Sequence, residues 1–354
     1  MKFRLILALL FTLIFYQVNG QQFKNFTDEL TILIPEGEKW WGGAINDGIK
    51  MPFEEGYSYN MYGSLRGNQA QPLLISNFGR VIWSEKPFSF EFSGDKLILE
   101  GYGDLKVNES QSSLKEAYEY ALKNYFPVDG EIPDTLLFSH PQYNTWIELI
   151  YDQNQKDILA YAHAIIDNGF PPGVLMIDDN WQEDYGVWRF KSSRFPNPKS
   201  MVRELHDLGF KVMMWVCPFV SPDSEVFRDL AKENLFLKVP DDYVFPGGPL
   251  DYAEDVAIVG WWNGFSALLD FSNPKTVDWF KSELDFLMEE YEVDGFKLDA
   301  GDAIYYPDWL QAHQPDLTPN DHSEMFAKIG LDYPLNEYRA TWKMGGRALA
   351  QRLR

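Results

Sequence analysis

The chain reads as an α/β protein: an all-β segment, about residues 21–130, precedes a stretch, 131–354, in which strands and helices alternate. Three observations predict this. In the first segment LTILIP, QPLLISNFGRVIWSE and FSFEFSGDKLILEGYG alternate apolar and polar residues with period two. Turn signals such as SGD and NFG recur about every ten residues, the spacing of a β-sandwich. From Thr135 onward, apolar strands take turns with amphipathic helices, which makes a parallel sheet, and the strands' continuous apolar runs mean that both faces are covered.

Taken in order, MKFRLILALLFTLIFYQVNG opens with Lys2 and Arg4, continues in an apolar run from Leu5 to Tyr16 and closes on small residues. This is the layout of a cleavable secretory signal, residues 1–20, cut after Gly20; the expected location is secreted or periplasmic, with no membrane span after cleavage. The first long helical period is SLKEAYEYALKNYF, residues 113–126. TLLFSH then reads as the first strand of the parallel sheet, with His140 at its end. NQKDILAYAHAIIDNGF is a helix stopped by Gly169, GVLMIDDNW a strand, PKSMVRELHDLGF a helix, KVMMWVCPFV a strand and SEVFRDLAKENL a helix. NPKTVDWFKSELDFLMEEYEV is a long amphipathic helix leading into the strand DGFKLDAGD, and Glu337 falls in a pattern that reads as helical. Four strand–helix units are counted from Thr135. An open doubly wound sheet and a closed barrel both fit, and no GxGxxG or P-loop pattern follows any strand, so a nucleotide-binding sheet is the weaker choice. A complete eightfold barrel takes about 250 residues and about 220 remain here, so the expectation is an incomplete barrel in a C-terminally truncated chain.

Composition narrows the function. The chain has 354 residues, 45% of them hydrophobic and 24% charged, with a formal net charge of −22. That charge argues against a phosphate backbone as partner. The aromatic share is 16%, which suits a Trp-rich core and equally suits stacking on the C–H face of a sugar ring. Cys217 is the single cysteine, set in an apolar strand as a small core residue, so no internal disulfide forms. His is scarce at 5 and no HxxxH or Cys cluster occurs, so no metal or cofactor is expected.

The ends of the parallel strands carry the chemistry, since that is where ligands of α/β folds sit. Asp178–Asp179–Asn180–Trp181 ends one strand, Trp215, Cys217 and Pro218 another, and Asp299, Gly301 and Asp302 a third. Period-two alternation puts Lys297 and Asp299 on one face. A lysine beside a carboxylate keeps it ionised, as a nucleophile for a glycosidic carbon must be, and a second carboxylic acid is then needed for the leaving oxygen. A buried ion pair that organises the sheet is the competing explanation.

Several stretches resemble glycoside hydrolase family 31. FKLDAGD resembles its nucleophile segment; VLMIDDNWQ followed by WRFKSSRFPNPKSMVRELHDLGFKVMMWVCPFV resembles its second and third barrel strands; LLDFSNPKTVDWF resembles a DFTNP-type segment, and WWGGA at Trp40–Ala44 a sugar-site loop. The likeness points to the branch of the myogenesis-regulating glycosidases. It implies an N-terminal β-sandwich followed by an incomplete (β/α)8 TIM barrel, and a retaining α-glycosidase acting on α-linked oligosaccharides or glycosides without a cofactor. It implies Asp299 as nucleophile, Lys297 as the group that orients it, Asp178 as a ligand of sugar hydroxyls, and Trp181 and Trp215 as walls. Trp41 would contribute from the N-terminal loop, Arg354 would match a substrate-gripping arginine, and Asp302 stands at the rim where many members carry Glu. The family's acid/base has no counterpart and is expected beyond Arg354, which would leave this stretch inactive alone. An α-galactosidase of the related barrel clan and a carbohydrate-binding pseudoenzyme are the alternatives.

Overall fold

The computed structural model describes residues 27–240, 255–352. The signal segment, residues 1–20, and Arg354 lie outside the described residues.

Eight strands build the N-terminal part: β1 (Asp28–Leu33), β2 (Trp40–Ala44), β3 (Ser58–Asn60), β4 (Gln69–Ser76), β5 (Val81–Trp83), β6 (Ser89–Ser93), β7 (Lys96–Gly101) and β8 (Lys106–Asn108). One antiparallel sheet has the order β1-β7-β6-β3; in the other β4 lies between β2 and β5, and β8 follows β5. The sequence alternation is real. In β6, Phe90 and Phe92 are buried while Glu91 is exposed, and β4 alternates likewise along its length. One apolar cluster draws Phe90, Phe92, Leu97 and Leu99 from the first sheet and Trp40, Ala70, Leu74 and Ile82 from the second. The helix Leu114–Tyr125, capped by the Ser113 side chain on the Glu116 amide, seats Ala117 and Ala121 on Val81.

The second part is built on a parallel sheet of β9 (Gln142–Asn144), β10 (Val174–Ile177), β13 (Lys211–Val216), β17 (Gly295–Leu298) and β18 (Asn336–Tyr338). All four residues of β10 and of β17 are buried, as befits strands covered on both faces. Covering helices begin at Asn caps: Gln155–Asp167 at Asn154, Pro198–Asp207 at Asn197, Pro274–Tyr291 at Asn273. Insertions between these strands form the hairpin β11 (Gln182–Asp184) and β12 (Val187–Phe190), and a small sheet of β14 (Phe219–Val220), β16 (Gly264–Leu268) and β15 (Ile258–Trp261). After β18 the chain returns to the N-terminal part, where β19 (Thr341–Trp342) pairs parallel with β4.

Two expectations are corrected. TLLFSH is not a strand: Leu136–Ser139 is a single helical turn, opened by Asp134 accepting from the Leu136 amide. The first parallel strand is β9, on the far side of Pro141, and His140 caps the turn in an exposed position. Three apolar residues in a row fit either period, and Leu136 and Leu137 pack under the sheet on Val174 and Met176. Glu337 is not helical either. It lies in β18 opposite Lys297, which makes the parallel strands five where the sequence pattern counts four.

Candidate functional site

The parallel strands deliver their last residues to one cavity of ≈ 600 Å³. Asp178 and Asp179 come from the end of β10, Trp215 from β13, Lys297 and Asp299 from β17, and Arg339 from the residue after β18. Asn144 and Trp146 join from the end of β9, Trp262 from the turn between β15 and β16, and Tyr305 from the loop after β17.

The backbone at the end of β17 breaks from the strand abruptly. Ala300 and Gly301 both take left-handed conformations, φ 59° and 71°, so the chain turns away directly beyond Asp299. A Cβ at Gly301 would stand 2.5 Å from Phe326, so packing as well as φ calls for glycine there. The turned Ala300 amide donates to Asp299 Oδ1 at 3.0 Å. Strain of this kind gathers at functional sites.

Lys297 is buried and divides its charge between two carboxylates, at 2.8 Å from Asp178 Oδ2 and 3.5 Å from Asp299 Oδ2. The Trp215 indole N–H donates to Asp299 Oδ2 at 2.8 Å, and Arg339 Nε lies 3.9 Å from Asp299 Oδ1. Burial alone pushes the Asp299 carboxyl up, but Lys297, the Trp215 indole, Arg339 and the Ala300 amide together hold it below the usual carboxylate range. Asp299 is therefore an anion with a lysine, an indole N–H and a guanidinium around it.

Asp179 lies next to Asp178 under different control. Its oxygens accept from the Asn180 amide, Gln182, Asn263 and the Tyr185 hydroxyl. Burial nevertheless pushes it up to about 6, against the pull of Gln182 and Asn263.

The structure brings Asp178, Trp215, Lys297 and Asp299 together and places Trp181, Trp41 and Asp302 outside the lining of that cavity. Trp181 does not wall the cavity: Asn180 turns left-handed, φ 78°, and sends the indole into the core, fully buried, where its N–H donates to the Trp215 carbonyl. WWGGA is strand β2, with Trp41 opposite Ile75, and Trp41 is not among the residues lining the cavity. Its glycine serves the pairing, since a Cβ at Gly42 would meet the Leu73 carbonyl oxygen at 2.1 Å. The N-terminal segment that does approach the site is Asn60–Gly67, which forms a neighbouring cavity of ≈ 350 Å³ with Asp302, Tyr305 and Arg339. Asp302 faces that neighbour, paired with Arg339 Nε at 3.0 Å.

Arg339, Trp146 and Tyr305 escaped the sequence reading. The signal for Arg339 was its place directly after the strand NEY, hidden by the helical reading of that stretch. Among the described residues no group of three or more His, Cys, Asp and Glu side chains is placed to hold a metal ion, and no helix is long and apolar enough to cross a membrane.

A sequence profile described as the glycosyl hydrolases family 31 TIM-barrel domain matches residues 137–352. The myogenesis-regulating glycosidase of Mus musculus is 32% identical over 218 residues, 62% of this chain and 29% of that protein. An α-xylosidase of Lactiplantibacillus pentosus is 23% identical over 196 residues, 51% of this chain and 24% of that protein. The chain thus spans less than a third of the length of these two relatives. Among solved structures, a Flavobacterium johnsoniae GH31 dextranase complexed with glucose superposes with a TM-score of 0.72 at 17% identity, covering 93% of this chain and 43% of that one. At that identity the likeness concerns the fold.

Proposed function

The chain belongs to glycoside hydrolase family 31, and from that premise we propose that the protein is a retaining α-glycosidase with Asp299 as its nucleophile. The observation that carries the reading is the setting of Asp299: a buried carboxylate on a sugar-sized cavity, kept ionised by Lys297 and the Trp215 indole. Asp299 Oδ attacks the anomeric carbon as the bond to the leaving oxygen breaks, giving a β-glycosyl ester. A second carboxyl protonates the departing oxygen and then deprotonates the water that releases the sugar with its α configuration retained.

The proposal gives that second role to no described carboxyl. Asp179 is held by four donors and Asp302 by Arg339. Asp178 and Arg339 are read as ligands of the bound sugar ring: each lines the cavity, and each has capacity left after its ion pair. Trp215 offers a wall and Trp262 a stacking surface. The substrate class is an α-linked oligosaccharide or glycoside. The two N-terminal sheets, which share one core, are read as a β-sandwich, and the signal-like segment 1–20 supports export to a secreted or periplasmic location.

The test is Asp299→Ala in the full-length protein, assayed on aryl α-glucoside, α-galactoside and α-xyloside. We expect one of the three to be hydrolysed by the wild type and its turnover to fall by about 10³-fold or more in the variant. Azide should then restore product as the β-glycosyl azide, because a small anion can fill the space of the lost carboxylate. Hydrolysis close to wild type in Asp299→Ala would remove Asp299 from the mechanism. A wild-type protein that binds these glycosides and turns over none would favour a sugar-binding pseudoenzyme.

A further inference from the structure

We propose that Asp302 is a positioning residue, which holds the Arg339 guanidinium off Asp299 and so sets the strength of the nucleophile. The inference rests on the role given to Asp299 above and extends it to a side chain outside the main cavity.

Arg339 is fixed from three directions. Its main-chain carbonyl accepts from the side-chain amides of Asn68 at 2.9 Å and Gln69 at 3.0 Å, both fully buried in the N-terminal part. Its guanidinium carbon lies 4.9 Å from the centre of the Trp262 ring. Its Nε donates to Asp302 Oδ2 at 3.0 Å, against 3.9 Å to Asp299 Oδ1. Two carboxylates thus lie within 4 Å of the Arg339 Nε, and Asp302 has the shorter contact. A guanidinium moved fully onto Asp299 would neutralise the electron pair that must attack.

Asp302 acts through Arg339. It lines the neighbouring cavity formed by loop Asn60–Gly67, whereas Arg339 and Tyr305 line both cavities and make the wall between them. The ionisable groups facing Asp302 are Arg339, Asp299 and the Tyr306 phenol, and Tyr305 faces Arg339. Asp299 in turn faces Lys297 and Arg339, with Cys217 and Glu337 near it. Among the described residues the ion pair of Asp302 runs to Arg339 alone. Burial raises the Asp302 carboxyl and Arg339 opposes the rise.

The experiment uses the full-length protein as wild type, D302N, D302E, R339Q and the double variant D302N/R339Q. Two readouts are taken: kcat and KM against pH on the aryl α-glycoside, and direct titration of the Asp299 carboxyl by NMR with carboxyl-¹³C aspartate, its resonance assigned from D299N. In D302N the midpoint of Asp299 should fall by about one unit as Arg339 turns to it, and kcat should drop about tenfold with KM changed less. D302E, which keeps the charge on an arm one methylene longer, should hold both within about threefold of wild type. In the R339Q background D302N should no longer lower the midpoint. An unchanged midpoint in D302N, or an equal fall with and without Arg339, overturns the proposal. If D302N does not fold, D302E decides: a folded D302E with Asp299 displaced by about one unit overturns it, and one with Asp299 unmoved supports it. The titration needs no turnover, so an inactive wild type would count against the proposed reaction while the NMR result still decides the role of Asp302.

Discussion

Asp299 and Asp302 stand three residues apart on either side of one tight turn, both buried and both in reach of Arg339, yet their surroundings push them in opposite directions. Asp299 faces Lys297, the Trp215 indole, the Ala300 amide and Arg339, and these outweigh the cost of burying its charge. Asp302 has essentially Arg339, and burial prevails. The contrast teaches that burial alone does not decide whether a carboxylate is a base or an acid. What decides is whether cations and donors together outweigh burial: Lys297 comes first among the groups that lower Asp299, whereas four neutral donors leave Asp179 raised. β17 and its neighbour β13 aim such groups at Asp299; the turn through Ala300 and Gly301 carries Asp302 out of their reach into the seam with the N-terminal part.

The largest way to break the contrast is Lys297→Met. It leaves Asp178 and Asp299 without their shared cation, so the Asp299 carboxyl should rise towards the behaviour of Asp302. The loss of one partner from a buried pair should cost about 3–5 kcal/mol in denaturant unfolding. The acid limb of the pH–rate profile should move up as turnover falls. A limb that stays in place would show that Lys297 does not control Asp299.

The pH dependence of stability gives a smaller but more specific effect. The Asp299 carboxyl is depressed on folding, so its contribution is present above the ordinary carboxylate pKa and is lost as pH falls through the folded value. The Asp302 carboxyl is raised, so its contribution is present below the ordinary value and is lost as pH rises through the folded value. Urea unfolding between about pH 3 and 7 should therefore show the wild-type advantage over Asp299→Asn shrinking towards acid and that over Asp302→Asn growing. Parallel trends for the two variants would contradict the assignment.

The turn that separates the two carboxylates supplies the smallest effect. Gly301→Ala places a methyl against Phe326 in a left-handed conformation and should lose about 1–3 kcal/mol, whereas Ala300→Gly relieves a left-handed alanine and should change stability by less than about 1 kcal/mol. Thermal unfolding of the pair measures this, and equal losses would show that the turn is not strained at Ala300.

How much of this was legible from sequence follows the same physics. Lys297, Asp299 and Asp178 stood out because each closes or interrupts a long apolar run with a charge, and Trp215 because it stands near the end of its strand and the resemblance makes it a wall. Arg339 did not, because β18 is three residues long, with two polar, and carries no period to read. Trp181, which the resemblance makes a wall, instead enters the core, because Asn180 turns the chain at φ 78°. WWGGA, which the resemblance makes a sugar-site loop, is strand β2, and its Gly42 is what lets that strand approach β4. The first parallel strand was missed because β9 has three residues, QYN, whereas the apolar turn before it packs beneath the sheet.

The central claim is that Asp299 is the atom-bearing nucleophile, and trapping the intermediate tests it most directly. The full-length protein is incubated with a fluorinated α-glycosyl fluoride that forms its ester quickly and releases it slowly, then digested and read by mass spectrometry. The account predicts one added sugar on the peptide containing Val293–Asp302, located at Asp299 and lost in Asp299→Ala. A label on any other carboxylate, Asp178 and Asp302 included, would contradict it.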